Sequence, residues 1–247
     1  MSLNHELERL ARGNHIDYFG IAGLESKQIK DFIHTQGGDI FSTYSRAVTI
    51  GIAIPNAIVD MLPTANDAIR SIYRHQIYDV IAARLSAMSS VMTSCLQAAG
   101  HSVFPIPGAI VGVDKERLAA LFSDKLAPHL AGLGWIGKSC MLITPDRGPR
   151  VIWGTILTDA PLPPTGVPLQ SGCGSCRACV DICPARAYTG RNFDEAEPRE
   201  ARFDAYACWA YVQENLAAKG QTCGLCLYAC PHGMKRQRSA TNPENAN

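Results

Sequence analysis

The chain has 247 residues, comfortable for two domains, and its 47% hydrophobic and 18% charged residues fit a globular protein with a core of its own. A formal net charge of +1 provides no global field that would recruit nucleic acid or an acidic surface. The first 30 residues carry no apolar signal-peptide core, and the longest apolar stretch, 47–59, is interrupted by Pro55 and Asn56 and is too short to span a bilayer. With clustered thiols and no signal peptide, a cytoplasmic protein away from the membrane is expected.

In chain order, Leu3, Leu7, Leu10 and Ala11 share one face of a short amphipathic helix ending near Gly13. Residues 17–22 read as a strand or extended loop, and 25–34 as a second short helix stopped by Gly37-Gly38. The run 46–55, RAVTIGIAIP, is β-branched and almost wholly apolar, which predicts a buried strand. From Asn66, a candidate N-cap, to Gly100, a stop, the period is helical. Its apolar stripe comprises Ile69, Ile72, Tyr73, Ile77, Val80, Ile81, Leu85, Met88, Val91, Met92 and Leu96, read as core, with Cys95 beside it as a small buried hydrophobe. A short strand follows at 101–106, then a helical turn or two at 114–121 capped by Asp114. Strand-like runs at 141–144 and 150–158, joined by Pro145-Asp-Arg-Gly-Pro149, suggest a hairpin. The proline-rich stretch 160–171 reads as a linker, and the chain after Gly233 as a polar tail.

Between these elements, Gly132-Leu-Gly134-Trp135-Ile-Gly137-Lys138-Ser139 formally matches the phosphate-binding pattern G-x4-G-K-[ST]. That pattern needs a strand before it and a helix after it, whereas here helix-like residues precede and strand-like residues follow. The glycines still allow close backbone approach, and Trp135 offers a ring for packing.

Eight of the ten cysteines lie between 173 and 230. Cys173, Cys176, Cys179 and Cys183 form C-x2-C-x2-C-x3-C-P, the spacing that wraps a 4Fe–4S cubane in bacterial ferredoxins, with the fourth thiol passed to a second cube. Cys223, Cys226 and Cys230 form a second, incomplete run, so Cys208 must join from a helix at about 203–212. One cluster is therefore expected on Cys173, Cys176, Cys179 and Cys230, the other on Cys223, Cys226, Cys208 and Cys183. Structural zinc on paired C-x2-C runs and disulfides are the competing readings.

The stretches AGLGWIGKS at 131–139 and TPDRGPRVIWGTILTDAPLP at 144–163, with the cysteine layout, resemble the epoxyqueuosine reductase family. The resemblance implies an α+β protein, with a nitroreductase-like α/β domain at 1–165, a ferredoxin-like domain with two 4Fe–4S clusters at 166–234, and a flexible tail at 235–247. It also implies a cobalamin held between the domains, with Gly132, Gly134, Trp135, Gly137 and Lys138 lining it, a logic shared with reductive dehalogenases. Two departures accompany it. The family's Asp-Ser-Ala-Pro-like stretch, whose aspartate donates a proton, falls here near Leu118-Ala-Ala-Leu121, and Asp124 aligns elsewhere. The chain also has little beyond Cys230, without the helical-repeat extension of longer members, so tRNA is not expected as a partner. A corrinoid signature D-x-H-x-x-G is absent, Asp31-Phe-Ile-His34 being a near miss.

The function expected is a reductase: a ferredoxin- or flavodoxin-type donor feeds the clusters, which feed cobalamin, for reduction of a small molecule. Tyr73, Tyr78, His129 and Lys138 are its candidate proton donors. The alternative is a non-catalytic electron-transfer partner, one that reactivates a corrinoid protein.

Overall fold

A computed structural model of the protein describes residues 2–26, 29–30, 41–106, 113–114 and 116–233. Most of the helix expected at 25–34, the Asp31–His34 near miss and the polar tail beyond Gly233 lie outside the described residues.

Helix α1 (Leu3–Gly13) starts on Ser2, whose side chain accepts from the His5 N–H, and buries Leu7 and Ala11 completely. Strands β1 (Tyr18–Gly23) and β2 (Arg46–Ala53) pair antiparallel. A short helix α2 (Asn56–Asp60) leads to the long helical segment. That segment runs as α3 (Asp67–His75), a π turn (Gln76–Ile81) and α4 (Ala82–Ala98). Asn66 caps it, accepting from the Ile69 N–H, and Gly100 ends it at φ +88°. The π turn has a cause in the sequence. Tyr73, Ile77, Ile81 and Leu85 are all buried at spacings of four, and on an α-helix each such step drifts by about 40°. A wider turn takes up that drift and keeps the four side chains on one face. Ile72, Val80 and Val91 of the expected stripe fall off that line and are exposed.

Strand β3 (Val103–Ile106) follows. The helical turn expected at 114–121 is instead a small hairpin of β4 (Val113–Asp114) and β5 (Ala119–Ala120). The Asp114 carboxylate accepts from the N–H groups of Glu116 (2.8 Å) and Arg117 (3.1 Å), and this local bonding competes with a helix. Helix α5 (Leu126–Leu130) then packs against β1 and β2. The expected pairing of 141–144 with 150–158 is also replaced. Strand β7 (Leu142–Ile143) pairs back onto β6 (Trp135–Ile136), and β8 (Val151–Thr158) inserts between β2 and β3. Apolar on both faces, β8 needs two neighbours and two covering layers.

The main sheet therefore has the order β1-β2-β8-β3, antiparallel throughout. On one face lie α1, the long helical segment and the side chains Val48, Ile50, Ile52 and Ile156; on the other, Ala47 and Leu157 meet Phe122, Leu126 and Leu130. Residues 166–233 contain three short α-helices, α6 (Ala178–Asp181), α7 (Ala205–Asn215, capped by Asp204) and α8 (Leu225–Ala229), and two 3-10 turns (Arg199–Ala201 and Ala217–Lys219). They are fastened to the sheet body in several ways. Leu227 of α8 is buried in the same core as Leu85 and Met92. Arg199 donates to the carbonyls of Leu118 (2.6 Å) and Arg117 (2.7 Å), and Thr165 exchanges hydrogen bonds with Ile21. Arg150 is fully buried, paired with Asp60 (2.8 Å) and Asn56 (3.2 Å), and lies against Gly233. Among the described residues no helix is long and apolar enough to cross a membrane.

Candidate metal centre

The eight thiols expected as ligands are brought together in two groups by three short helices and the turns before them. In the first run, Cys173 precedes a turn at Gly174 (φ +48°) closed by the Cys176 N–H on the Cys173 carbonyl (2.9 Å). Cys179 lies in α6, which packs against α8, and Cys230 caps the end of α8 just before Pro231. The Cys179 thiol is pushed up to about 11, by burial first and then by Cys173, Cys230 and Cys176. Cys230 is raised by burial and by Cys173 and Cys176, while backbone N–H groups of His232 and Gly233 donate to it and oppose the shift. Cys173 and Cys176 thus lie close enough to act on both Cys179 and Cys230.

The other four are likewise neighbours. Cys208, carried on α7, is pushed up to about 11 by burial, Cys183 and Cys223. Cys226 is pushed up to about 12 by burial, with Cys223, Cys208 and Cys183 adding to it and a hydrogen bond from Tyr188 opposing it. Cys223 is raised by burial and Cys183, against a backbone bond from Leu225 and the charge of Arg70. Cys183 accepts from the Ala187 N–H at 3.4 Å. The grouping crosses the sequence: Cys183 stands with the distant run and Cys230 with the first. Among the described residues no three His, Cys, Asp or Glu side chains are gathered as a single metal ion requires. A cubane asks for a wider arrangement, because each thiolate binds a different iron at a different corner.

The glycine loop meets this centre from the side. Lys138 is buried, and its ammonium donates to the carbonyls of Gly174 (2.8 Å) and Cys176 (3.1 Å), so it holds the first cysteine turn. A methyl group on Gly132 (φ +78°) would meet the Val167 backbone, one on Gly134 would overlap the Ile143 carbonyl, and one on Gly137 would meet Ile143 and the Cys173 sulfur. Trp135 packs on Gly172 and edge-on to His232, at 4.8 Å between ring centroids. Gly134, Trp135, Gly137 and Lys138 are buried by protein alone. The spaces the glycines leave are thus filled by the chain itself, where the sequence suggested a flat ligand.

Of the candidate proton donors, His129 is buried with Nδ1 on the Gly134 carbonyl (3.1 Å), a structural position. Tyr73 presses on Gly224, and burial is the main reason its phenol is raised well above the ordinary range. Tyr78 is raised by burial too, against a hydrogen bond from Thr222, and lies near Cys226 and Cys208. Sequence reasoning missed Tyr188, whose ring stacks on Phe203 just before the helix that carries Cys208, and Cys140, a half-buried thiol at φ +54° near the Arg202 guanidinium. Nothing in local spacing marks either one.

Comparison with known proteins accords with this geometry. A 4Fe-4S dicluster domain matches residues 172–234. Over 120 residues the chain is 46% identical to an epoxyqueuosine reductase of Bacillus anthracis, an alignment covering 44% of this chain and 29% of that protein. The chain is a relative of the epoxyqueuosine reductases. It spans well under two thirds of the length of that relative. Its fold is that of an epoxyqueuosine reductase solved with an epoxyqueuosine-modified tRNA stem loop (TM-score 0.61, 20% identity, 94% of this chain and 66% of that one). A reductive dehalogenase structure that suggests a mechanism for B12-dependent dehalogenation aligns with TM-score 0.68 and 18% identity, over 96% of this chain and 34% of that one. The protein thus resembles the epoxyqueuosine reductases in sequence and fold, has mixed α and β structure, and carries a segment matching a 4Fe-4S dicluster domain. The expectation against tRNA as a partner finds no support here, since an epoxyqueuosine reductase of this fold has been solved on a tRNA stem loop.

Proposed function

We propose that the chain passes electrons from an external ferredoxin- or flavodoxin-type donor through two 4Fe–4S clusters to a bound cobalamin, for reduction of a small substrate. The observation that supports the cluster part is the division of eight thiols into two crossed fours. Cys173, Cys176, Cys179 and Cys230 would hold one cube, and Cys183, Cys208, Cys223 and Cys226 the other. One backbone donor already points at a sulfur: the Ala187 N–H lies 3.4 Å from that of Cys183. Bound clusters would supply one-electron steps at low potential.

In this reading residues 1–165 form a nitroreductase-like unit for corrinoid and substrate, 166–234 the ferredoxin-like unit and 235–247 a polar tail, in a cytoplasmic protein. The corrinoid rests on the fold shared with a B12-dependent dehalogenase; at Gly132, Gly134 and Gly137 the space a side chain would fill is taken by Val167, Ile143 and Cys173. That occupancy favours the second reading, an electron-transfer or corrinoid-reactivating protein without turnover of its own.

Anaerobic reconstitution with iron, sulfide and cobalamin separates the readings. The reductase binds about eight irons per chain together with a corrinoid visible in its absorption spectrum. Eight irons without corrinoid leave the electron carrier, and zinc in place of iron overturns both. Adding an epoxyqueuosine-bearing stem loop then tests tRNA, whose binding would weaken steeply with salt.

A further inference from the structure

Of the ten cysteines, Cys176 alone is exposed. It lies in a run, 174–177, whose residues are all exposed. The run is braced from behind. The buried Lys138 ammonium bonds the carbonyls of Gly174 (2.8 Å) and Cys176 (3.1 Å), and the Cys176 N–H closes the turn on the Cys173 carbonyl (2.9 Å). In front there is room, since a methyl group on Gly174 would meet nothing within 4 Å. One thiol of the first group is thus presented at the surface on a loop already in place, which lowers the ordering cost of binding to it.

Positive charge gathers beside this loop. Between 171 and 192 the sequence has three arginines, Arg177, Arg186 and Arg191, and one acid, Asp181. All three arginines are exposed. Arg177 and Arg186 flank α6, which at four residues is only about 6 Å long. Arg186 is held at its end by an N–H bond to the Cys183 carbonyl (3.1 Å), and the Arg177 guanidinium reaches Gly190, next to Arg191.

The second group has an exposed face of another kind. Tyr206 and Trp209, on either side of Cys208 in α7, are 55% and 51% exposed. The charges near them in sequence are acidic: residues 193–204 contain five acids and two arginines, and α7 adds only Glu214. An acidic protein is attracted to the first face and repelled from the second.

We propose that the loop 174–177, with Arg177, Arg186 and Arg191, is the docking surface for an acidic one-electron carrier protein, so that electrons enter at the cluster of Cys173, Cys176, Cys179 and Cys230. The proposal rests on the two-cluster reading above. In each encounter the carrier loses one electron and the cubane gains it, with no bond made or broken. A small, charge-steered surface suits such a transfer, because the complex must form quickly and part again.

The test uses the reconstituted full chain under anaerobic conditions, with an acidic flavodoxin as the carrier. Calorimetry measures binding of oxidised flavodoxin, and stopped-flow absorption follows cluster reduction by its hydroquinone, both against ionic strength. Affinity and second-order rate should each fall by about tenfold from low to physiological salt, and Arg177→Glu combined with Arg186→Glu should cause a similar fall at low salt. Arg186→Lys should retain both. Methyl viologen radical, a small cation that needs no docking surface, should reduce wild type and variants alike. If the double variant loses iron, Arg186→Glu alone and the salt dependence of the wild type decide. Binding and rate indifferent to salt, or weakened by Trp209→Gln and not by the arginine variants, overturn the docking surface and leave the clusters standing. A wild-type chain with fewer than two clusters overturns both.

Discussion

The two groups of thiols are built from nearly the same sequence pattern and sit in different surroundings. The group of Cys173, Cys176, Cys179 and Cys230 includes the exposed thiol of Cys176 and is steadied by a lysine from the glycine loop. The group of Cys183, Cys208, Cys223 and Cys226 is pressed against the sheet body, with Tyr73, Tyr78 and Tyr188 around it and its deepest thiol pushed up to about 12 by burial. The C-x2-C spacing decides which sulfurs can meet. What surrounds them afterwards is decided by residues outside the motif, some of them, as with Tyr73 and Tyr78, more than a hundred positions away, so one motif meets two different surroundings.

The sharpest way to break this contrast is to remove a crossing ligand. Cys183→Ala should empty the site of Cys208, Cys223 and Cys226 and spare that of its sequence neighbours, lowering bound iron from about eight to about four per chain; iron and sulfide analysis with paramagnetic resonance reads which cluster remains. The two sites also differ in what their glycines tolerate. Gly224→Ala combines φ +78° with a methyl group overlapping the Tyr73 hydroxyl, a loss of about 3 kcal/mol or more. Gly174→Ala, at φ +48° in open space, should cost only about 1 kcal/mol. Thermal melts of the two reconstituted variants would compare them directly.

A smaller effect is expected at the lysine. Lys138→Met loses two charge-assisted bonds to the first cysteine turn, about 2 kcal/mol in all, and should speed chelator-driven iron release from that cluster only. Smallest is the exposed tie between α3 and the cluster segment. Lys219 and then Gln221 hold the Asp67 carboxylate below the ordinary range. A lowered folded value means that the tie contributes fully above the unfolded carboxylate value of about 4 and is lost as pH falls through the folded one. The melting difference between wild type and Asp67→Asn should accordingly be present at neutral pH and vanish in acid.

Much of the fold was legible where the signal is local. Ser2 to Gly13, the β-branched run of β2 and the Asn66 cap each announce themselves within a few residues. The cysteine-rich segment was legible too, and a 4Fe-4S dicluster domain matches it over residues 172–234. What escaped depends on distant partners. Strand β8 reads as the second arm of a hairpin, yet its neighbours are β2 and β3, since only the middle of a sheet covers a strand apolar on both faces. Asp114 reads as a helix cap but closes a hairpin turn, two structures that begin with the same carboxylate-to-amide bonds. The glycines of 132–137 signal close approach without saying to what, and the answer is Val167, Ile143 and Cys173.

Leu227 lies one residue past Cys226, with its side chain deep among the sheet-side apolar residues. A redox segment rooted in this manner is unable to swing out on its leading strand of prolines to collect charge and return. In the proposed relay, donors come to it, and the gap across which an electron leaves it has one fixed width. Speed can then be altered only through driving force, which places the burden of adaptation on the few atoms around each sulfur.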